Sequence, residues 1–193
     1  MGLVQVTPPA GKAVATEDLR RWCRIDPDVT ADDDLLDSLA EVAAGLICKA
    51  WGVQLIEAVW RLSLDSLGDE VRLPVAPVSA AGPVLYADAG GEWRTLDSSA
   101  WELDATGPVA VVRPKWGVYW PPVRCHPGSV SVTFTAGYGS AEDVPGPLAT
   151  AVKLAVAHWY ENRGDAAGPG SAGPDLPPAA VRLLSAWWPG EYV

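Results

Sequence analysis

AEDVPGPLATAVKLAVAHWYENR, Ala141 to Arg163, is the stretch whose reading decides the fold. Pro147 suits a first helical turn and Gly164 a stop. Between them Leu148, Ala151, Val152, Leu154, Ala155, Val156 and Trp159 spread around the cylinder, leaving Thr150, Lys153 and the end near Glu161 and Asn162 as the plainly polar positions. A helix apolar on most sides must be covered on most sides, so in a chain of 193 residues part of the cover is expected from another subunit. Leu148, Val152, Ala155, Val156 and Trp159 are the candidates for that contact.

Two further helices precede it. Thr16 to Cys23, TEDLRRWC, opens with an N-cap threonine and two acids. A longer helix is marked by Thr30 and Asp33 in capping-box spacing and by Asp32 to Asp34 at the positive end of the dipole, and Lys49 with Gly52 closes it. Its apolar face runs through Leu35, Leu39, Val42 and Leu46, with Leu36, Ala43, Ile47 and Ala50 alongside.

From Val53 to Gly139 the period changes from 3.6 towards two. AVWRLSLDSL, VRLPVAP, GPVLYAD, EWRTLD, AWELD, PVAVVRP and GSVSVTFTAGYG follow one another, separated by Pro, Gly and Asp turns. Alternation at Trp60, Leu62 and Leu64, and again at Val130, Val132 and Phe134, predicts antiparallel strands with one packed and one wet face. After the decisive helix, GDAAGPGSAGPDLPP cannot build a core and reads as a flexible linker. PAAVRLLSAWWPGEYV beyond it is a short helix candidate. Its Trp187, Trp188 and Tyr192 suit a partner's groove, or else a return onto the chain's own body.

The fold class is therefore α+β, a small helical bundle with an inserted antiparallel β subdomain and a flexible C-terminal arm. The expected organisation is an N-terminal extension at 1–15, a main domain at 16–163, a linker at 164–178 and an arm at 179–193. Within the main domain, helices at 16–52 and 147–163 surround the β region at 53–139.

Composition narrows the function. With 24 acidic against 14 basic residues the formal charge is -10, which argues against a phosphate-gripping surface and would let nucleic acid pass without sticking. Cys23, Cys48 and Cys125 are odd in number and far apart, so neither a disulfide framework nor a CxxC metal pair is expected. The opening MGLVQVTPPAGK lacks the plan of a signal peptide, and no run is long enough for a membrane helix; a soluble protein with reduced thiols is expected.

Chemistry finds little support. His158 with Glu161 could offer two ligands from one helix face, but no cluster elsewhere completes a metal set. Cys125 and His126 are neighbours in a loop, where adjacent side chains point apart. AGYGS matches neither GxGxxG nor a Walker A loop. No catalytic, cofactor-binding or metal residue is assigned. Of the ten tryptophans, Trp60 and Trp101 fall in strand patterns, whereas the loop PKWGVYWPPVR, Pro114 to Arg124, hints at a contact surface.

Several segments taken together carry a resemblance: DLRRWCRIDPDVTADDDLLDSLAEVAAGLI, VWRLSL, LPVAPVSAAGPVLYADAGGEWRTLD, RPKWGVYWPP and VSVTFTAGYGSAEDVPGPLATAVKLAVAHWYENR. Over roughly residues 16 to 185 the chain resembles the head-tail connector, or adaptor, proteins of long-tailed phages and of related gene transfer agents. The most specific part is FTAGYG, a short acidic spacer, VP, and an apolar helix ending HWYENR. The resemblance implies a connector-type helical bundle without a catalytic site or cofactor, assembled in the bacterial host cytoplasm into the neck of the particle. It implies a homo-oligomeric ring, commonly dodecameric, between the portal protein and stopper or tail-completion proteins. DNA would pass through without sequence-specific binding, and no membrane is involved.

Under that reading Leu183, Leu184, Trp187, Trp188 and Tyr192 are the portal-docking candidates, although SAWWPGEYV stands where such proteins tend to be more basic. Asp32, Asp33, Asp34 and Glu41 are the channel-lining candidates, with helix-dipole partners or a solvated outer face as alternatives. The competing class is a soluble β-rich binding module that holds a peptide or carbohydrate through its Trp-rich loop.

Overall fold

A computed structural model of the chain describes residues 1–162 and 175–187. The elements run β1 (Gly2–Thr7), α1 (Thr16–Trp22), α2 (Asp33–Trp51), β2 (Ala58–Leu64), β3 (Val71–Leu73), β4 (Val78–Ala87), β5 (Trp93–Thr95), β6 (Trp101–Asp104), β7 (Ala110–Pro114), β8 (Val130–Ala136), α3 (Gly146–Glu161) and α4 (Pro178–Trp187). The fold is α+β, and the chain divides into a β unit, Met1–Pro9 with Glu57–Gly137, and a helical unit, Ala10–Ile56 with Tyr138–Val193.

In the β unit, β8 buries Val130, Val132, Phe134 and Ala136 and leaves the residues between them half-buried, the period of a strand with one packed face. It is the middle strand of an antiparallel sheet in the order β1-β2-β8-β4-β5. Leu62 opposite Val132 and Trp60 opposite Phe134 set the register with β2; a slip by one residue would turn this apolar set to the wet face. A second antiparallel sheet, β3-β7-β6, buries Val71, Leu73, Ala110 and Val112. The seven strand-like segments between Val53 and Gly139 all form strands. The N-terminal segment, read as an extension, contributes β1: Leu3 faces Leu62 and Val4 faces Arg61 across the pair.

The helical unit is built on α3. Leu148, Ala151, Val152, Ala155, Val156 and Trp159 are its buried residues, and their steps of three and four make one broad stripe. The expectation of apolar residues spread around the whole helix is thus corrected: Ala149, Leu154 and Tyr160 flank the stripe half-buried, and His158 and Glu161 are exposed. The cover comes from the same chain. Leu19 of α1, Leu36, Ala40, Ala43 and Ile47 of α2, Val53, Leu55 and Ile56 after α2, and Ala180 and Leu184 of α4 share one apolar core with the α3 stripe.

Helix ends depart from the expected caps. Ala15, not Thr16, is the N-cap of α1, and the Thr16 hydroxyl instead donates to Asp37 Oδ1 at 2.7 Å. Asp32 precedes α2 without a side-chain cap bond, so the Thr30–Asp33 box is not made. Asp33 instead forms an ion pair with Arg20 Nε at 3.0 Å. At the other end Gly52 adopts the left-handed conformation expected of it, with φ 59. α3 begins at Gly146 with Pro147 in its first turn, as expected, after Ser140 and Asp143 close a turn in which the carboxylate accepts from the Ser140 amide at 2.8 Å and its hydroxyl at 2.7 Å. That hydrogen-bonded turn holds the Asp143 carboxyl below the usual carboxylate range, the side-chain bond contributing most.

Candidate assembly surfaces

The five residues expected at a subunit contact are taken up by their own chain. Leu148, Val152, Ala155 and Val156 are fully buried and Trp159 nearly so, within the helical unit's core. Their side chains are out of reach of a neighbouring subunit while that core is intact.

The arm divides similarly. Leu184 is buried on α4, and Leu183 and Trp187 are half-buried against the same core, so α4 lies folded on its own unit. Trp188 and Tyr192 lie outside the described residues. An apolar helix after a Gly- and Pro-rich tether reads equally well as a free arm and as a docked element. The spacing of Ala180 and Leu184, one helical turn apart, is the signal that favours docking.

Of the four acids considered for a channel, two are engaged within the chain. Asp32 accepts a hydrogen bond from the Tyr160 hydroxyl, tying the start of α2 to the end of α3. Asp33 holds Arg20, whose guanidinium also donates to the Pro27 carbonyl at 2.6 Å. Asp34 and Glu41 are exposed.

The large exposed apolar surface lies elsewhere. Trp116 and Tyr119 stand on the loop between β7 and β8 at 102% and 92% of full exposure. The Val118 amide closes a tight turn onto the Lys115 carbonyl at 2.9 Å, and Gly117, with φ 79, supplies the left-handed step. The loop's far end is anchored: Val123 bridges Asp88, and the Arg124 amide donates to Ala87 at 2.9 Å. Asp88 is itself braced, accepting from Arg94 and from the Gly90 and Glu92 amides, and the Arg94 hydrogen bond is the main reason its carboxyl sits below the usual range. A rigid base thus carries two outward aromatics. Trp60 and Trp101 lie in β2 and β6 and are half-buried, with indole N–H groups that, like that of Trp120, are buried without a hydrogen-bond partner.

The second exposed region went unread in the sequence. All six residues of β1 are exposed, among them Val4 at 62%. A six-residue run rich in Val and Leu and stopped by Pro8–Pro9 was the signal available for it.

Among the described residues, no group of three or more His, Cys, Asp and Glu could hold a metal, and no helix is long and apolar enough to cross a membrane. No protein-family model and no curated protein matches the chain. Solved structures do. A chain from the neck of an empty GTA particle, computed with C6 symmetry, is 28% identical with TM-score 0.80 over 100% of this chain and 98% of that chain. A chain from the virion of a native gene transfer agent particle is 29% identical with TM-score 0.79 at the same coverage. A third, from the neck of a native GTA particle computed with C12 symmetry, is 27% identical with TM-score 0.76, again over 100% and 98%.

Proposed function

We propose that the chain is a structural subunit of the neck of a phage-like particle, an adaptor that forms a ring beneath the portal and links the head to stopper or tail proteins. The observation that carries this is the end-to-end likeness to gene transfer agent neck chains, at 28% identity and TM-score 0.80 over 100% of this chain. A likeness covering both units and every connection is more than a shared sheet or bundle. The C6 and C12 symmetry of the similar necks supports a cyclic homo-oligomer.

The physical properties fit this role. A net charge of -10 suits a passage through which DNA moves without being held, and the exposed Asp34 and Glu41 are the residues assigned to its wall. Because the proposed contact residues of α3 lie in the core, α3 and α4 serve as the rigid body of the subunit. Docking to the next neck component is assigned to Trp116 and Tyr119, large rigid side chains of the kind that dominate interfaces. No bond is made or broken in this role, so no catalytic residue is assigned.

The test is the mass of the purified chain, alone and mixed with the portal protein of the same particle, by light scattering with negative-stain imaging. A ring stacked on the portal is expected. A chain that stays monomeric and ignores the portal would overturn the proposal.

A further inference from the structure

We propose that the open edge of β1 is where one subunit joins the next, by pairing with the β5 edge of a second copy of this chain. The inference rests on the ring reading above and adds the surface that closes the ring.

β1 is the outermost strand of its sheet, so alternate backbone N–H and C=O groups point away from β2, with no strand beside them among the described residues. Proteins usually guard such an edge with charge, proline or a bulge within the strand. Here Gly2–Thr7 has neither a charged side chain nor a proline; its one irregularity lies between Gln5 and Thr7, and Leu3, Val4 and Val6 stand exposed along it. Over Gly2–Gln5, ahead of that irregularity, the apolar edge carries no guard and invites strand addition.

Charge selects the occupant. Copies of a chain carrying -10 repel one another, so they can meet closely only where charge is absent or already neutralised. No side chain from Met1 to Gly11 is ionisable. β5, at the opposite edge of the same sheet, is exposed at all three residues, and its Arg94 is paired with Asp88. A cyclic ring needs two different patches on every copy, and one sheet with two open edges supplies both. Since each neighbouring pair in the five-strand order is antiparallel, β1 and β5 run the same way, and head-to-tail copies would pair them in parallel.

Consecutive strand residues aim their N–H groups in opposite directions, so of Leu3→Pro and Val4→Pro one removes an amide facing β2 and the other an amide on the open edge. Ring formation is measured for wild type and both variants as above, with circular dichroism on each. Hydrogen exchange is measured on unaltered protein, free and in the ring, so that the answer does not depend on variants that fold poorly. The expected results are loss of the ring in the open-edge variant while its spectrum stays native, and exchange in residues 3–6 and 93–95 slowed roughly tenfold or more on assembly. Wild-type rings with unchanged exchange in β1 would overturn the edge contact and leave the ring standing. Slowing at β1 without slowing at 93–95 would overturn β5 as the acceptor. If wild type forms no ring with or without portal, the ring reading itself fails, and this inference with it.

Discussion

The helical unit and the β unit treat apolar surface in opposite ways. In the helical unit one stripe of α3 is enclosed by α1, α2 and α4, and among the described residues the exposed large apolar ones are the scattered Trp22, Val29 and Val42. In the β unit such residues collect on the β1 edge and the Trp116–Tyr119 turn, with Trp93 exposed on the β5 edge. Scattered exposure is ordinary, whereas collected exposure on an ordered frame marks contact. The more apolar element is therefore not the stickier one: α3 keeps its apolar surface inside the chain, and the proposed assembly contacts fall to the unit whose sheets leave edges and turns open.

The sharpest way to break this comparison is to cut into α3. Leu148→Ala removes a fully buried side chain, and about 3 kcal/mol of stability should go with it. Urea unfolding checks this. A loss below roughly 1 kcal/mol would mean that α3 is not enclosed as described and is free to serve a neighbour.

Leu184→Ala tests the same closure from the α4 side. Leu184 is as buried as the α3 stripe, yet it sits on a short helix of ten residues with two buried side chains, so a smaller loss of about 2 kcal/mol is expected. An arm that swings free to reach a partner would show no loss. The same geometry means that a chain cut after Gly173 would lose α4 and the side chains it lays on the core, so reduced portal binding by such a chain would report damage to the body as well as loss of a docking arm.

In the β unit the double variant Trp116→Ala, Tyr119→Ala should leave the unfolding midpoint nearly unmoved, within about 0.5 kcal/mol, while portal or stopper binding falls at least tenfold. A stability loss comparable to that of Leu148→Ala would put these aromatics in a core and erase the contrast between the units.

What the sequence disclosed follows the range of the forces involved. Alternation in VSVTFTA and AVWRLSL and the left-handed Gly52 are local signals, and each was legible. The face of α2 was legible in part: Leu36, Ala43 and Ile47 of the expected set are buried and Leu35, Leu39 and Leu46 half-buried, whereas Val42 and Ala50 are exposed and Ala40, outside that set, lies in the core. Caps were less so: Thr16 and Asp33 have the right chemistry for a helix start, but Asp37 and Arg20 compete for them from across the unit. The partner of α3's apolar surface was not legible at all, since apolarity states that a helix needs cover and not whether the cover is a distant segment of its own chain or a neighbour's. β1 was missed although Gly2–Thr7 ahead of Pro8–Pro9 carried a local strand signal, and its edge carries the proposed subunit contact.

The thiols give the finest comparison between the units, one that changes nothing at neutral pH. Burial pushes the Cys48 thiol up from 9.0 to about 11, while Cys125 is exposed on the loop before β8. Disfavouring the thiolate in the fold leaves stability at its full value below pH 9, where Cys48 is neutral folded or unfolded; stability then declines as pH rises from about 9 through about 11, because the unfolded chain gives up the proton first. Cys48→Ala should flatten that alkaline decline. A thiol reagent at pH 7.5 should modify the exposed Cys125 faster than the half-buried Cys48 on α2. Equal rates at the two cysteines would show that Cys48 is as accessible as a surface loop, and the division of labour between the units would then have no basis.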